Sequence, residues 1–373
     1  MVQRLKIESI EAILVDIPTL RTHHLSFGDV NVQNHVIVRI VADGITGVGE
    51  AATVGGPAWG DESTESIKGM VDLYLAPGLI GQDANDLARL TARMELLVKG
   101  NRFAKAAVET ALYDLVARSR ELPLVAMLGG AMRESIPVAW TLAAGDTARD
   151  IDEAQEMLER QRHRIFKLKV GAHAPEKDFA HVAAICKAVG DRASIRLDCN
   201  QAWDELTATR WLPRLAAIGV DMVEQPVARW NFAAMARLAQ ASGLAIMADE
   251  SLNTLSEAFD LARTASANVF ALKLTKHGGI AGTLKVAAVA EAAGVAVYGG
   301  AMLETSIGTA TQVHTYSAIA GLNQGCECFG PLLHKSSISV EQLEFRDFHV
   351  WLPQGPGHGI TLDEDKLAHF RRQ

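Results

Sequence analysis

Five charged residues recur along the middle of this chain at a nearly constant interval. Lys169, Asp198, Glu224, Asp249 and Lys273 are separated by 29, 26, 25 and 24 residues. Each closes a short apolar run, at 165–170, 194–197, 221–223, 245–248 and 269–272, and similar runs stand at 138–142 and 295–298. Between the runs lie segments of helical periodicity, such as 175–189 and 281–293. Pro175 suits the first turn of a helix, where its missing N–H costs nothing. Runs that alternate with helices predict parallel strands joined by crossover helices. An open doubly wound sheet alternates in the same way, but it would not bring five successive strand ends round one centre. The strand ends of a (β/α) barrel converge on one face, where active sites are built. The beat therefore predicts an α/β chain whose residues 131–340 form a (β/α) barrel of seven or eight strands.

Residues 1–130 follow a different pattern. Runs at 7–17, 36–41 and 45–51 read as antiparallel strands, and Asp43-Gly44 is a two-residue hairpin signal. A glycine-rich stretch with Val54 and Trp59 follows and reads as a mobile loop. Helical spacing then dominates from 63 to 126, as in Ile67, Met70, Val71 and Leu75. Strands followed by helices predict an α+β domain. The tail 341–373 carries no further strand–helix unit and is expected to pack back on this domain and complete it.

Composition narrows the function classes. Half of the 373 residues are apolar and 21% are charged, which excludes a disordered or collagen-like chain. The net charge of −8, with no basic stripe, argues against nucleic acid as a partner. The four cysteines show no metal-finger or CxxC spacing, and a chain this long needs no disulfides, so a reducing compartment is expected. The start has no unbroken apolar segment, and no stretch reaches the roughly 18 apolar residues of a membrane span. The expectation is a cytoplasmic protein.

The charged beat also suggests chemistry. Asp198, Glu224 and Asp249, brought to one rim, would be like charges within a few ångströms. They would need a cation or a proton to coexist. Hard oxygen donors without histidine or cysteine suit Mg²⁺ or Mn²⁺ better than zinc. Any one of these acids alone reads better as a loop cap or ion-pair partner; three in register between lysines read better as a metal site. Lys167 and Lys169 are two apart on one strand, so both should enter the barrel mouth. Paired cations depress each other's pKa, which would favour an amine able to accept a proton. Lys273 ends a strand across the ring. Lysines on opposite sides of a metal suit proton transfer at a carbon beside a carboxylate, with the metal stabilising the enolate. Glu304 reads equally as an acid over the substrate or as part of the cap of a helix starting near Ser306. Glu250 is expected to orient Lys273, and Trp59 either covers a substrate or simply packs. The pairs Gly278-Gly279 and Gly299-Gly300 read as tight turns.

The ordered motifs resemble the enolase superfamily, in its muconate lactonizing subgroup. They are Phe166-Lys167-Leu168-Lys169-Val170-Gly171, Asp198-Cys199-Asn200-Gln201-Ala202-Trp203, Glu224-Gln225-Pro226, Ala248-Asp249-Glu250-Ser251, Lys273 with Gly278-Gly279, and Met302-Leu303-Glu304. The likeness spans nearly the whole chain and runs closest to bacterial muconate and chloromuconate cycloisomerases. It implies a modified TIM barrel under a capping domain built from both termini. It implies Asp198, Glu224 and Asp249 as ligands of Mn²⁺ or Mg²⁺. Lys169 becomes the acid/base at the α-carbon, Lys167 binds and polarises the carboxylate, and Lys273 is a second acid/base or electrostatic support. Asn200 would support the site, while loops near 20–30 and 54–60 shape the pocket. The implied reaction converts cis,cis-muconate to muconolactone in catechol degradation, in a homo-oligomer that is octameric by family habit. Val54 with Trp59 resembles the chloromuconate enzymes, whereas Lys273-Leu274-Thr275-Lys276-His277 and Glu304 resemble the muconate type. The same lysines would also serve a racemase of N-acyl amino acids or an epimerase of dipeptides.

Overall fold

The computed structural model describes residues 4–25 and 28–372. Three strands open the chain, β1 (Ile7–Leu25), β2 (Gly28–Ala42) and β3 (Ile45–Thr53), paired antiparallel in that order. Asp43 and Gly44 both take positive φ, 48° and 72°, and turn β2 into β3 as a two-residue hairpin requires. The helix Arg102–Ser119 packs on β3. Gly47 and Gly49 make this close approach possible, because a Cβ at either would run into the backbone at Ala107 or Ala111. The strands extend further than their apolar runs suggest, since ladder pairing carries polar residues along with the apolar ones.

β4 (Ser135–Pro137) leads into the barrel. Its strands are β5 (Trp140–Leu142), β6 (Ile165–Lys169), β7 (Ser194–Asp198), β8 (Met222–Glu224), β9 (Ala245–Ala248), β10 (Val269–Leu272), β11 (Ala296–Gly299) and β12 (Leu322–Cys326). They pair in parallel and in sequence order. The two edges meet where Val138 bridges Cys326, with Ala139 N donating to Cys326 O at 2.8 Å. The chain thus folds as a modified (β/α) barrel with an α+β cap. The modification is at the end, where a single turn, Gly330–Leu333, follows β12 in place of a full helix. Local sequence starts several of the other helices. Asp146, Asp204, Asn231, Thr254 and Thr305 each accept a backbone N–H of the first turn.

The tail divides its contacts. β13 (Phe345–Arg346) and β14 (His349–Trp351) pair with β4 beside the barrel. The last residues do return to the N-terminal sheet: Val15 bridges Arg371, Arg372 holds Asp16 at 2.5 Å, and Glu364 pairs with Arg39 at 2.7 Å. Of the expected pocket loop near 20–30, positions 26 and 27 lie outside the described residues. Among the described residues no helix is long and apolar enough to cross a membrane. All four cysteines are free thiols.

Candidate active site

Alternation along the barrel strands assembles the site. Residues two apart share a face, so Lys167 and Lys169 on β6 run beside Arg196 and Asp198 on β7 and Met222 and Glu224 on β8. Met222, Met247, Val269, Ala271 and Tyr298 pack as a small apolar cluster separate from the main core. Lys167 and Arg196 sit over the Tyr298 ring at 5.7 and 5.3 Å. The next positions toward the strand ends are charged. Lys169 stands opposite Asp198, and Asp198 opposite Glu224.

The charges interlock. Lys167 Nζ contacts the carboxylates of Glu224 and Glu327 and lies 3.7 Å from Asp198 Oδ2. Lys169 Nζ donates to Asp198 Oδ2 at 2.5 Å and to Asn200 Oδ1 at 3.0 Å. Asn200 Nδ2 in turn donates to Glu250 Oε1 at 3.1 Å. Further round the barrel Lys273 Nζ donates to Asp249 Oδ2 at 2.7 Å. Lys276 holds the same residue from below, donating to Asp249 Oδ1 at 2.5 Å and Asp249 O at 2.7 Å.

Two sequence-based expectations are corrected here. Lys167 was expected to lose basicity beside Lys169. Burial does work against its charge, but Glu224, Glu327 and Asp198 outweigh it and hold the amine well above the usual lysine range. The reason is geometric: its neighbours in space are mostly anions, which a reading along one strand does not reveal. Lys273 behaves alike, burial being outweighed by Asp249 and Glu224. Glu250 was expected to orient Lys273. It accepts from Asn200 instead, and Asp249 is what binds Lys273.

A pocket lies between barrel and cap. Lys169, Asp198, Asn200 and Lys273 face it from the barrel, and His23, Val54 and Trp59 from the N-terminal segment. Trp59 does more than pack: Lys273 Nζ lies 4.2 Å from its ring centroid, within cation–π range. Gly300 makes room for the Lys273 stem, since a Cβ there would stand 2.8 Å from Lys273 Cγ. Gly278 and Gly279, with φ of 76° and 119°, turn one helix into the next.

Glu304 lies elsewhere. It is buried behind the pocket wall, its Oε2 accepts from Met302 N at 2.8 Å, and the helix cap is Thr305. Burial and the charge of Glu50 push its carboxyl up to about 7. The native state therefore binds more protons than the unfolded chain between about pH 4.5 and 7, and stability falls as pH rises through that window. Glu304→Gln is expected to stabilise the protein at pH 8 by on the order of 1–3 kcal/mol, with the gain shrinking toward pH 5. Urea unfolding at both pH values checks this; a gain independent of pH would reject it.

Two further site residues escaped the sequence reading, Glu327 and Lys276. Glu327 follows β12, contacts Lys167 and lines the pocket. Its strand, Leu-Asn-Gln-Gly-Cys, has no apolar run to announce it. Lys276 is fully buried; it stood within the stretch Lys273–His277 but was given no role, and its three-residue spacing from Lys273 was a further signal.

The donor set can be tested for a divalent cation. Among the described residues no three acidic, histidine or cysteine side chains close on one point; in the site, lysines take the carboxylate oxygens. The chemistry still fits a hard cation. Burial opposes ionisation of Glu224, Asp198 and Asp249 oppose it further, and Lys167 works the other way. Glu250 Oε2 is buried without a partner beside them. Three buried oxygen donors on successive strand ends, repelling one another, suit Mg²⁺ or Mn²⁺.

With this geometry in hand, comparison with known proteins is decisive. Residues 9–129 match the mandelate racemase/muconate lactonizing enzyme N-terminal domain, and residues 149–366 match the enolase C-terminal domain-like family. The chain belongs to the enolase superfamily. Within it, a chloromuconate cycloisomerase of Cupriavidus necator is 52% identical over 99% of this chain and 100% of its own length. Muconate cycloisomerase 1 of Pseudomonas putida is 48% identical over 98% of this chain and 99% of its own. The muconate lactonizing enzyme of Pseudomonas fluorescens, solved with muconolactone, superposes with a TM-score of 0.98 at 50% identity, covering 99% of this chain and 100% of that one. The chain is thus similar to these muconate lactonizing enzymes over its full described fold.

Proposed function

We propose that this enzyme catalyses the reversible cycloisomerisation of cis,cis-muconate to muconolactone. The observation that carries the reading is the pocket flanked by Lys169 and Lys273, with carboxylates between them, in a chain about half identical to enzymes of that activity. Asp198, Glu224 and Asp249 would hold a divalent cation, Mn²⁺ or Mg²⁺, which when bound neutralises charge on the substrate carboxylate. Lys167 adds a fixed positive charge at that end of the pocket. Lys169 faces the α-carbon, oriented by Asp198 and Asn200. One substrate carboxylate forms a C–O bond to the γ-carbon, and the π electrons move onto the other carboxylate as an enolate. The Lys169 ammonium then gives its proton to the α-carbon, and the neutral amine regains one from solvent. Lys273, held by Asp249 against Trp59, balances negative charge on the far side. Val54 and Trp59 bound the substrate's carbon chain.

A second substrate has support of its own. The chloromuconate cycloisomerase relative favours chlorinated muconates in the same pocket. Loss of diene absorbance with Mn²⁺ present tests the reading, with cis,cis-muconate and 3-chloromuconate run in parallel. Turnover of neither overturns it. Glu224→Gln is expected to weaken Mn²⁺ binding by at least about tenfold, since even outer-shell changes cost about 10–100-fold. An unchanged calorimetric titration would remove Glu224 from the ligand set. We further assign residues 1–130 and 341–373 to the cap and 131–340 to the catalytic barrel. The assembly is proposed as a cytoplasmic homo-oligomer, an octamer on family resemblance, which light scattering would test.

A further inference from the structure

One buried side chain ties the two halves of the chain together beside the pocket. Gln33 lies on β2 and is fully buried. Its Nε2 donates to two carbonyl oxygens, Thr53 O at 3.1 Å and Met302 O at 2.8 Å. Thr53 ends β3 immediately before Val54, which lines the pocket from the cap, and Met302 lines it from the barrel. A single amide therefore fastens both walls, across 269 positions of sequence.

The segment that follows Met302 is held under strain. Leu303, a pocket residue, takes φ of 59°, a left-handed conformation that a branched side chain adopts only when its surroundings enforce it. The cap supplies the enforcement at both ends. Gln33 fixes Met302 O, while Glu50 on β3 accepts Thr305 N at 2.8 Å and Gly308 N at 2.8 Å. Glu50 thereby anchors the start of the helix Ser306–Ala318, whereas Gln33 reaches Met302 in the pocket wall itself.

We infer that Gln33 is a positioning residue whose amide sets the separation of the Val54 and Met302–Leu303 walls and so the fit of the substrate's carbon chain. This rests on the muconate reading of the pocket. Two acceptors require two N–H groups from one side chain, which the glutamine amide provides. Methionine keeps its length and bulk but donates nothing.

Gln33→Met in the full-length protein is expected to raise KM for cis,cis-muconate about tenfold with kcat little changed, the size of one displaced methyl-scale contact. The kcat/KM ratio between cis,cis-muconate and 3-chloromuconate should shift severalfold. A purely structural role would lower Tm and depress both substrates equally, and that result would overturn the inference. Hydrogen–deuterium exchange without substrate gives an independent readout. Segments 52–55 and 301–304 should both exchange faster in Q33M; acceleration of neither, or of one alone, also overturns it. If the wild-type protein turns over neither substrate, the muconate reading fails, while the exchange result still decides whether Gln33 holds the two walls together.

Discussion

Lys169→Ala is expected to lower kcat with cis,cis-muconate by about 10²–10⁴-fold, the usual worth of a positioned acid or base, and to leave the fold intact. Lys169 lines the pocket and is aimed by two acceptors, Asp198 and Asn200. On the proposed reaction, its removal takes away the proton donor for the α-carbon. The structural cost is small for two reasons. The side chain is 16% exposed, so its loss mainly enlarges the pocket. Asp198 still has Lys167 at 3.7 Å. Steady-state diene absorbance measures the first effect, and circular dichroism with thermal unfolding the second. Exchange of the muconolactone α-hydrogen in D₂O should disappear in parallel. A variant that keeps the wild-type rate would strip Lys169 of its role.

Asp249→Asn is expected to destabilise the protein by about 3–5 kcal/mol, the cost of breaking a buried ion pair from one side. Two buried ammonium groups, Lys273 and Lys276, share this carboxylate. Without it both keep their desolvation penalty and lose their partner. Burial already depresses the basicity of Lys276, and Asp249 is the main influence against that. The double variant D249N/K276M should therefore recover part of the loss, because it removes one of the stranded charges. Urea unfolding of the two variants measures this coupling. An unchanged midpoint in D249N would mean that the lysines do not depend on Asp249. The same variant should bind Mn²⁺ more weakly, which calorimetry follows separately from stability.

The sequence alone carried the period that makes the barrel. Residues Lys169, Asp198, Glu224, Asp249 and Lys273 could be ordered round one rim because strand alternation and crossover length are local properties. The helix start at Pro175 was legible for the same reason, since a proline acts on the turn beside it. The strand β12 was not legible, because Leu-Asn-Gln-Gly-Cys is set in the barrel by its neighbours and by the bridge to Val138, not by its own pattern. Glu327 went unseen with it.

Tertiary structure decided what each charge does. Lys167 and Lys169 are alike in the sequence, yet the fold surrounds Lys167 with anions and leaves Lys169 open to the pocket. Glu304 read as an acid over the substrate, but it is Glu327, which the sequence reading did not single out, that reaches the cavity. Gln33 has no motif at all; its partners are backbone oxygens brought together by the docking of cap on barrel. The division has a simple cause. Periodicity and capping act over a few residues and are written in order along the chain, whereas basicity, burial and wall-to-wall contact depend on neighbours that sequence distance does not reveal.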